Sequence, residues 1–226
     1  MKITTATFVQ GATIDRPFAQ DGLPQVAFIG RSNVGKSSVI NSVTHHEGLA
    51  KTSSFPGRTQ QLNFFLFNKT VYGVDLPGYG FADISEIGRK RLQELIDWYL
   101  FSGEYEQAKI VFIIDADVGF TEMDLEMLHA LEEHHKSFVI VANKIDKIKP
   151  SEFDKKIEII KELSGSHRVI LYSATTGVGI GELAREIMES STGRGATKKT
   201  QIFGGPRVVR GVKSRPRASR TTQHKE

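Results

Sequence analysis

Short apolar runs rich in β-branched residues alternate along the chain with longer segments whose apolar positions recur three and four apart. The runs near 25–29 (QVAFI), 109–114 (KIVFII), 137–142 (SFVIVA) and 168–172 (RVILY) read as buried strands. Residues 36–44, 86–102, 122–135, 151–163 and 180–190 read as helices. Two more strands, about 61–67 (QLNFFLF) and 70–75 (TVYGVD), are separated only by a turn at Asn68-Lys69. That spacing makes a hairpin, so one strand runs against the rest. The expectation is an α/β domain: six strands, mostly parallel with one antiparallel, and helices on both faces. In the second helix, Ile87, Leu92, Leu95, Ile96, Tyr99 and Leu100 form a stripe read as core, and burial is expected for Trp98 as well.

The ends behave differently. Residues 1–24 form an N-terminal extension with one apolar piece, Ala6-Thr7-Phe8-Val9, that offers an edge contact, and 25–190 form the domain. Residues 191–226 carry few large apolar side chains and are expected to be a disordered tail. Charge divides at the same place. Residues 1–193 hold 20 Lys and Arg against 25 Asp and Glu, net −5, whereas 194–226 hold 10 against 1, net +9. A mildly acidic body with a basic arm suits a polyanion-seeking tail rather than a uniformly basic nucleic-acid binder, and DNA is not expected as a partner. Cysteine is absent, which excludes disulfides and thiolate metal sites. No stretch approaches the apolar length of a membrane span, so no membrane partner is expected and the location is expected to be cytoplasmic.

Chemistry is concentrated at strand ends. Residues 30–38, GRSNVGKSS, follow the first buried strand, open a helix and fit G-x-x-x-x-G-K-[ST] at Gly30, Gly35, Lys36 and Ser37. Glycines let successive N–H groups turn inward on phosphate, so Ser32, Asn33, Val34 and Ser38 join the phosphate-binding set. Lys36 would reach the β and γ phosphates and the Ser37 hydroxyl would bind Mg²⁺. Asn143-Lys144-Ile145-Asp146 follows the SFVIVA strand at the edge where open α/β sheets bind ligands. A carboxylate at Asp146 accepts from both N1–H and the exocyclic amine of guanine, a donor pair that adenine lacks. Ser173-Ala174, after the last strand, is placed to meet guanine O6.

Two loops are placed to sense a γ-phosphate. Asp75-Leu-Pro-Gly78 ends a hairpin strand, with Asp75 set to hold Mg²⁺ through water and the Gly78 N–H to contact the γ-phosphate. Ahead of that hairpin lies SSFPGRTQ, residues 53–60, where Thr59 is a second hydroxyl ligand for Mg²⁺ and Gly57 and Arg58 adjoin the nucleotide. Along the chain the five stretches run phosphate loop, 53–60 loop, DxxG, NKID, Ser173-Ala174, each at a strand end, and together they point to a Mg²⁺–GTP/GDP site.

GRSNVGKSS, FPGRTQ, DLPGYGFA and Trp98-Tyr99-Leu100 together resemble the EngB (YihA or YsxC) GTPases of the TrmE-Era group, over about residues 3–190. The resemblance implies a Ras-like P-loop fold, GTP/GDP switching, help in assembling the large ribosomal subunit, and that subunit or its precursors as partner. The tail would supply contacts to ribosomal RNA, and the chain is expected to be a monomer. It departs from the family at Phe55, where Thr is common, and in having NKID where TKxD is commoner.

Ras-like enzymes place Gln after DxxG to orient water, but here Tyr79 stands there, so slow intrinsic hydrolysis that needs help from a partner or an ion is expected, with Lys36, Asn33, Thr59 and Gly78 as the catalytic residues. Asn33 corresponds to a loop position that helps hold K⁺ in TrmE-Era relatives; the same residue also reads as one that bonds its own backbone. Arg31 and Arg58 are alternative cations. The pairs His45-His46 and His134-His135 cannot share a helix face and read as exposed rather than metal-binding. A second functional reading makes the tail primary and the chain an RNA-binding module with a mainly structural GTP site. A third, a tRNA-modifying GTPase, would call for an extra catalytic or KH-like domain.

Overall fold

The computed structural model describes residues 1–50, 61–80 and 85–190. The loop at 53–60, with Gly57, Arg58 and Thr59, and the tail at 191–226 lie outside the described residues.

Among the described residues seven strands form one sheet in the order β1-β3-β4-β2-β5-β6-β7. They are β1 (Ala6–Ala12), β2 (Gln25–Gly30), β3 (Leu62–Phe67), β4 (Val71–Asp75), β5 (Gln107–Asp115), β6 (Phe138–Asn143) and β7 (Val169–Leu171). β3 alone runs against the others, pairing antiparallel with β1 on one side and β4 on the other. Its hairpin to β4 turns through residues 68–70, with positive φ at Asn68 (47) and Lys69 (58) and the Thr70 N–H donating to the Phe67 carbonyl at 3.0 Å. The seventh strand, β1, corrects the six-strand expectation. It is tied down by Asn68, whose Oδ1 accepts the N–H groups of Thr4 at 2.8 Å and Thr5 at 3.0 Å.

Period-two alternation divides the core into two layers. On β5, Ile110, Phe112 and Ile114 face one layer, while Val111 and Ile113 face the other. The first layer packs under α2 (Glu86–Phe101), α3 (Glu122–Glu133) and α4 (Phe153–Leu163) through Leu95, Ile96, Tyr99, Leu128 and Ile160. The second packs under α1 (Lys36–Thr44) and α5 (Ile180–Ser190) through Val39, Ile40, Val43, Leu183 and Ile187. Strands buried on both faces explain the continuous apolar runs of the sequence. Ile87 corrects the expected core stripe: it is 69% exposed. Trp98 is half-buried, its Nε1 donating to Glu104 at 2.8 Å. Among the described residues no helix is long and apolar enough to cross a membrane.

Candidate nucleotide site

The central strand β2 ends at Gly30 between β4 and β5, and the chain turns there into α1. Gly35 precedes the helix at φ 90, in the left-handed region, and a Cβ on it would lie 2.5 Å from Asn143 Nδ2. Only glycine meets both demands. No side chain caps the start of α1. The first-turn N–H groups of Lys36, Ser37 and Ser38 therefore leave the helix end together with its positive dipole, a receptor for phosphate. Ser32 and Val34 have other partners: the Ser32 N–H donates to the Tyr79 carbonyl at 2.8 Å and the Val34 N–H to the Arg31 carbonyl at 3.3 Å. Asn33 is exposed with φ 67.

Asp75 ends β4 opposite Phe28 of β2, which carries it to the root of the phosphate loop. The Asp75 carboxylate is nearly buried and pairs with the Lys36 ammonium. That pair holds two opposite charges together: Lys36 can pass to phosphate oxygens and Asp75 to a hydrated cation, with the Ser37 hydroxyl on the same helical turn. Gly78 lies backbone-to-backbone on the loop, since a Cβ there would stand 3.1 Å from Ser32 N and 3.4 Å from Gly30 O.

At the far side, NKID and Ser173-Ala174 are joined to the phosphate loop by side chains. Asn143, 2% exposed, donates from Nδ2 to the Val34 carbonyl at 2.8 Å and accepts the Ala174 N–H at 3.4 Å. Lys144 donates to the Asn33 carbonyl at 2.6 Å and to Asp115 at 2.6 Å. Asp146 is exposed, and the buried Ser173 hydroxyl donates to its Oδ1 at 2.5 Å, fixing the carboxylate beside the Ala174 backbone. Asp115, which ends β5, was not singled out by the sequence. Its signal was an acid closing the run KIVFIID at the same edge as NKID.

Tyr79 is buried, and its hydroxyl donates to Asp124 of α3 at 2.7 Å. Burial first, and then the Asp124 charge, push that hydroxyl far above the ordinary tyrosine range. Asp124 was also not singled out. His45, His46, His134 and His135 are all exposed; His134 stacks on Phe101 with ring centres 4.5 Å apart, and His46 Nδ1 lies 3.3 Å from the Ala6 carbonyl. Among the described residues no three His, Asp or Glu side chains gather round a metal position.

A family model described as a 50S ribosome-binding GTPase matches residues 25–144, from the start of β2 to Lys144. A probable GTP-binding protein EngB of Desulforamulus reducens is 42% identical over 193 residues, covering 84% of this chain and 94% of that protein. The chain belongs to the EngB family. The EngB of Caulobacter vibrioides is also 42% identical, over 80% of this chain and 81% of its own. A crystal structure of a probable EngB superposes with a TM-score of 0.61 at 22% identity, over 74% of this chain and 98% of that one, which supports the shared Ras-like fold. Era, solved with MgGDPNP and nucleotides 1506–1542 of 16S ribosomal RNA, aligns with a TM-score of 0.59 at 26% identity over 74% of this chain and 56% of its own. Membership of the EngB family makes this chain a guanine-nucleotide-binding GTPase.

Proposed function

We propose that the protein is a monomeric, cytoplasmic, Mg²⁺-dependent GTPase switch that assists assembly of the large ribosomal subunit. The observation that carries the reading is the convergence at one sheet edge of the uncapped start of α1, the Lys36–Asp75 pair, Gly78, and the joined Asn143, Asp146 and Ser173. In this reading the N–H groups of Gly35, Lys36, Ser37 and Ser38 hold the phosphates, Ser37, Thr59 and Asp75 hold Mg²⁺, and Asp146 reads guanine. When bound, Mg²⁺ neutralises charge developing on the phosphoryl oxygens. Gly78 and the 53–60 loop, with Gly57, Arg58 and Thr59, report whether the γ-phosphate is present. Ribosomal RNA is engaged through the tail. Hydrolysis is slow without a partner, because Tyr79 gives its hydroxyl to Asp124 rather than to a water. K⁺ beside Asn33 supplies positive charge; equal turnover in K⁺ and Na⁺ removes it from the scheme.

Support for the ribosomal role comes from the family description and from the RNA held by Era, the structural relative. The test is co-sedimentation with large ribosomal subunits or their precursors, loaded with GDP or a non-hydrolysable GTP analogue, with and without residues 194–226. Binding that needs the analogue and survives loss of the tail supports the switch. The net +9 of residues 194–226 favours a second reading, an RNA-binding module. Binding indifferent to nucleotide and lost with the tail would establish that one instead.

A further inference from the structure

Tyr79 follows the DxxG turn, and its two ends are tied to different parts of the molecule. Its carbonyl accepts the Ser32 N–H of the phosphate loop at 2.8 Å, reinforced by an isolated β-bridge between Arg31 and Tyr79. Its hydroxyl donates to Asp124 Oδ1 at 2.7 Å. Asp124 is fully buried, an unusual place for a carboxylate, and is itself held firmly. Its Oδ2 accepts the Thr121 N–H at 3.0 Å and the Thr121 hydroxyl at 2.7 Å, closing the capping box of α3. The Arg31 Nε, buried and without a hydrogen-bond partner among the described residues, lies 3.7 Å from the same Oδ2 and balances its charge. Phosphate loop, DxxG turn and α3 thus meet at one carboxylate.

We propose that Asp124 is a positioning residue for γ-phosphate recognition, holding the Gly78 N–H in register with the phosphate loop through Tyr79. The proposal rests on reading Gly78 as the γ-phosphate contact. Among the described residues, Gly78, Tyr79 and Gly80 line a cavity of about 210 Å³ between α2 and α3, with Met123 and Met127 across it. A turn released from Asp124 has room to move into that space. The N–H groups that start α1 serve a diphosphate and a triphosphate alike, whereas Gly78 serves only the triphosphate. The clasp therefore sets the affinity for the triphosphate relative to the diphosphate, because a ligand gains only from contacts that differ between states.

The test compares full-length wild type with Tyr79→Phe, which keeps the buried ring, and Asp124→Asn, which keeps the shape and removes the charge. Dissociation constants are measured for GDP and for a non-hydrolysable GTP analogue with Mg²⁺, together with steady-state hydrolysis. Both variants are expected to weaken analogue binding roughly tenfold, the scale of one hydrogen bond to a charged group. GDP affinity stays within about twofold, and KM for GTP rises with kcat changed less than about threefold. Equal weakening of both nucleotides would overturn the proposal, since that is what general loosening of the fold produces. An unchanged ratio of the two affinities would overturn it too. A wild type that binds neither nucleotide would sink the reading of the site itself, a failure distinct from an unchanged ratio in the variants.

Discussion

Gly35→Ala is expected to damage the site in two separable ways. At φ 90 a Cβ is strained, at a cost of about 1–2 kcal/mol for a left-handed backbone. The new methyl would also stand 2.5 Å from Asn143 Nδ2. Asn143 is buried and pinned between the Val34 carbonyl and the Ala174 N–H, so it yields only by giving up the 2.8 Å bond to Val34, at about 1–3 kcal/mol. The total is about 3 kcal/mol, which lowers the melting temperature by roughly 6–12 °C in a domain of this size. Denaturant titration without nucleotide, run as a cycle with Asn143→Ala, separates the two parts. Once Asn143 is truncated the clash is gone, and adding Gly35→Ala should cost only the backbone strain, about 1–2 kcal/mol. If Gly35→Ala costs the same in both backgrounds to within about 0.5 kcal/mol, the steric coupling of phosphate loop to NKID is refuted.

Lys36→Ala should destabilise the nucleotide-free protein by about 3 kcal/mol by stranding Asp75, and Asp75→Asn added to it should recover part of that loss in the same titration. Asp146→Asn should weaken GDP binding about 100-fold, two charge-assisted hydrogen bonds to guanine being lost, with little change in melting temperature because Asp146 is exposed; fluorescent-nucleotide titration reads this out. Tyr172 is one of the buried tyrosines that limit alkaline stability: burial outweighs its hydrogen bond with Ser42 and pushes the hydroxyl from 10.0 up to about 12. The unfolded chain ionises first, so stability is intact below pH 10 and falls by about 2–3 kcal/mol as pH rises through 12. Tyr172→Phe should remove that share of the alkaline loss in urea titrations from pH 8 to 12, leaving the part due to the buried Tyr79 and Tyr99 hydroxyls.

Most of the sheet was legible because strands buried on both faces leave unbroken apolar runs, as in KIVFIID and SFVIVAN. β1 was not, for a physical reason. It is an edge strand whose Phe8 and Val9 remain exposed, and a register irregularity between Phe8 and Gln10 breaks the two-residue period. Ile87 misled in the opposite direction. It sits five residues before Leu92, about 140° round the helix from it, whereas Leu92, Leu95, Ile96 and Tyr99 stay in phase. The site's motifs could be located from spacing alone, since each glycine and acid sits where a strand ends. Their mutual wiring could not: that Lys144 reaches Asn33 and Asp115, or that Tyr79 reaches Asp124, depends on side-chain directions across loops distant in sequence.

The Asn68 turn also bears on how the chain closes. Its amide donates to the Lys2 carbonyl and lies 3.7 Å from Met188 Sδ, while Ile3 shares a core layer with Ile187. β1 thus waits during synthesis for β3, more than fifty residues later, and the patch it covers is completed only by α5. Long-range closure of this kind is slow. During synthesis the open edge of β3 and the apolar face meant for α5 are the surfaces most in need of protection.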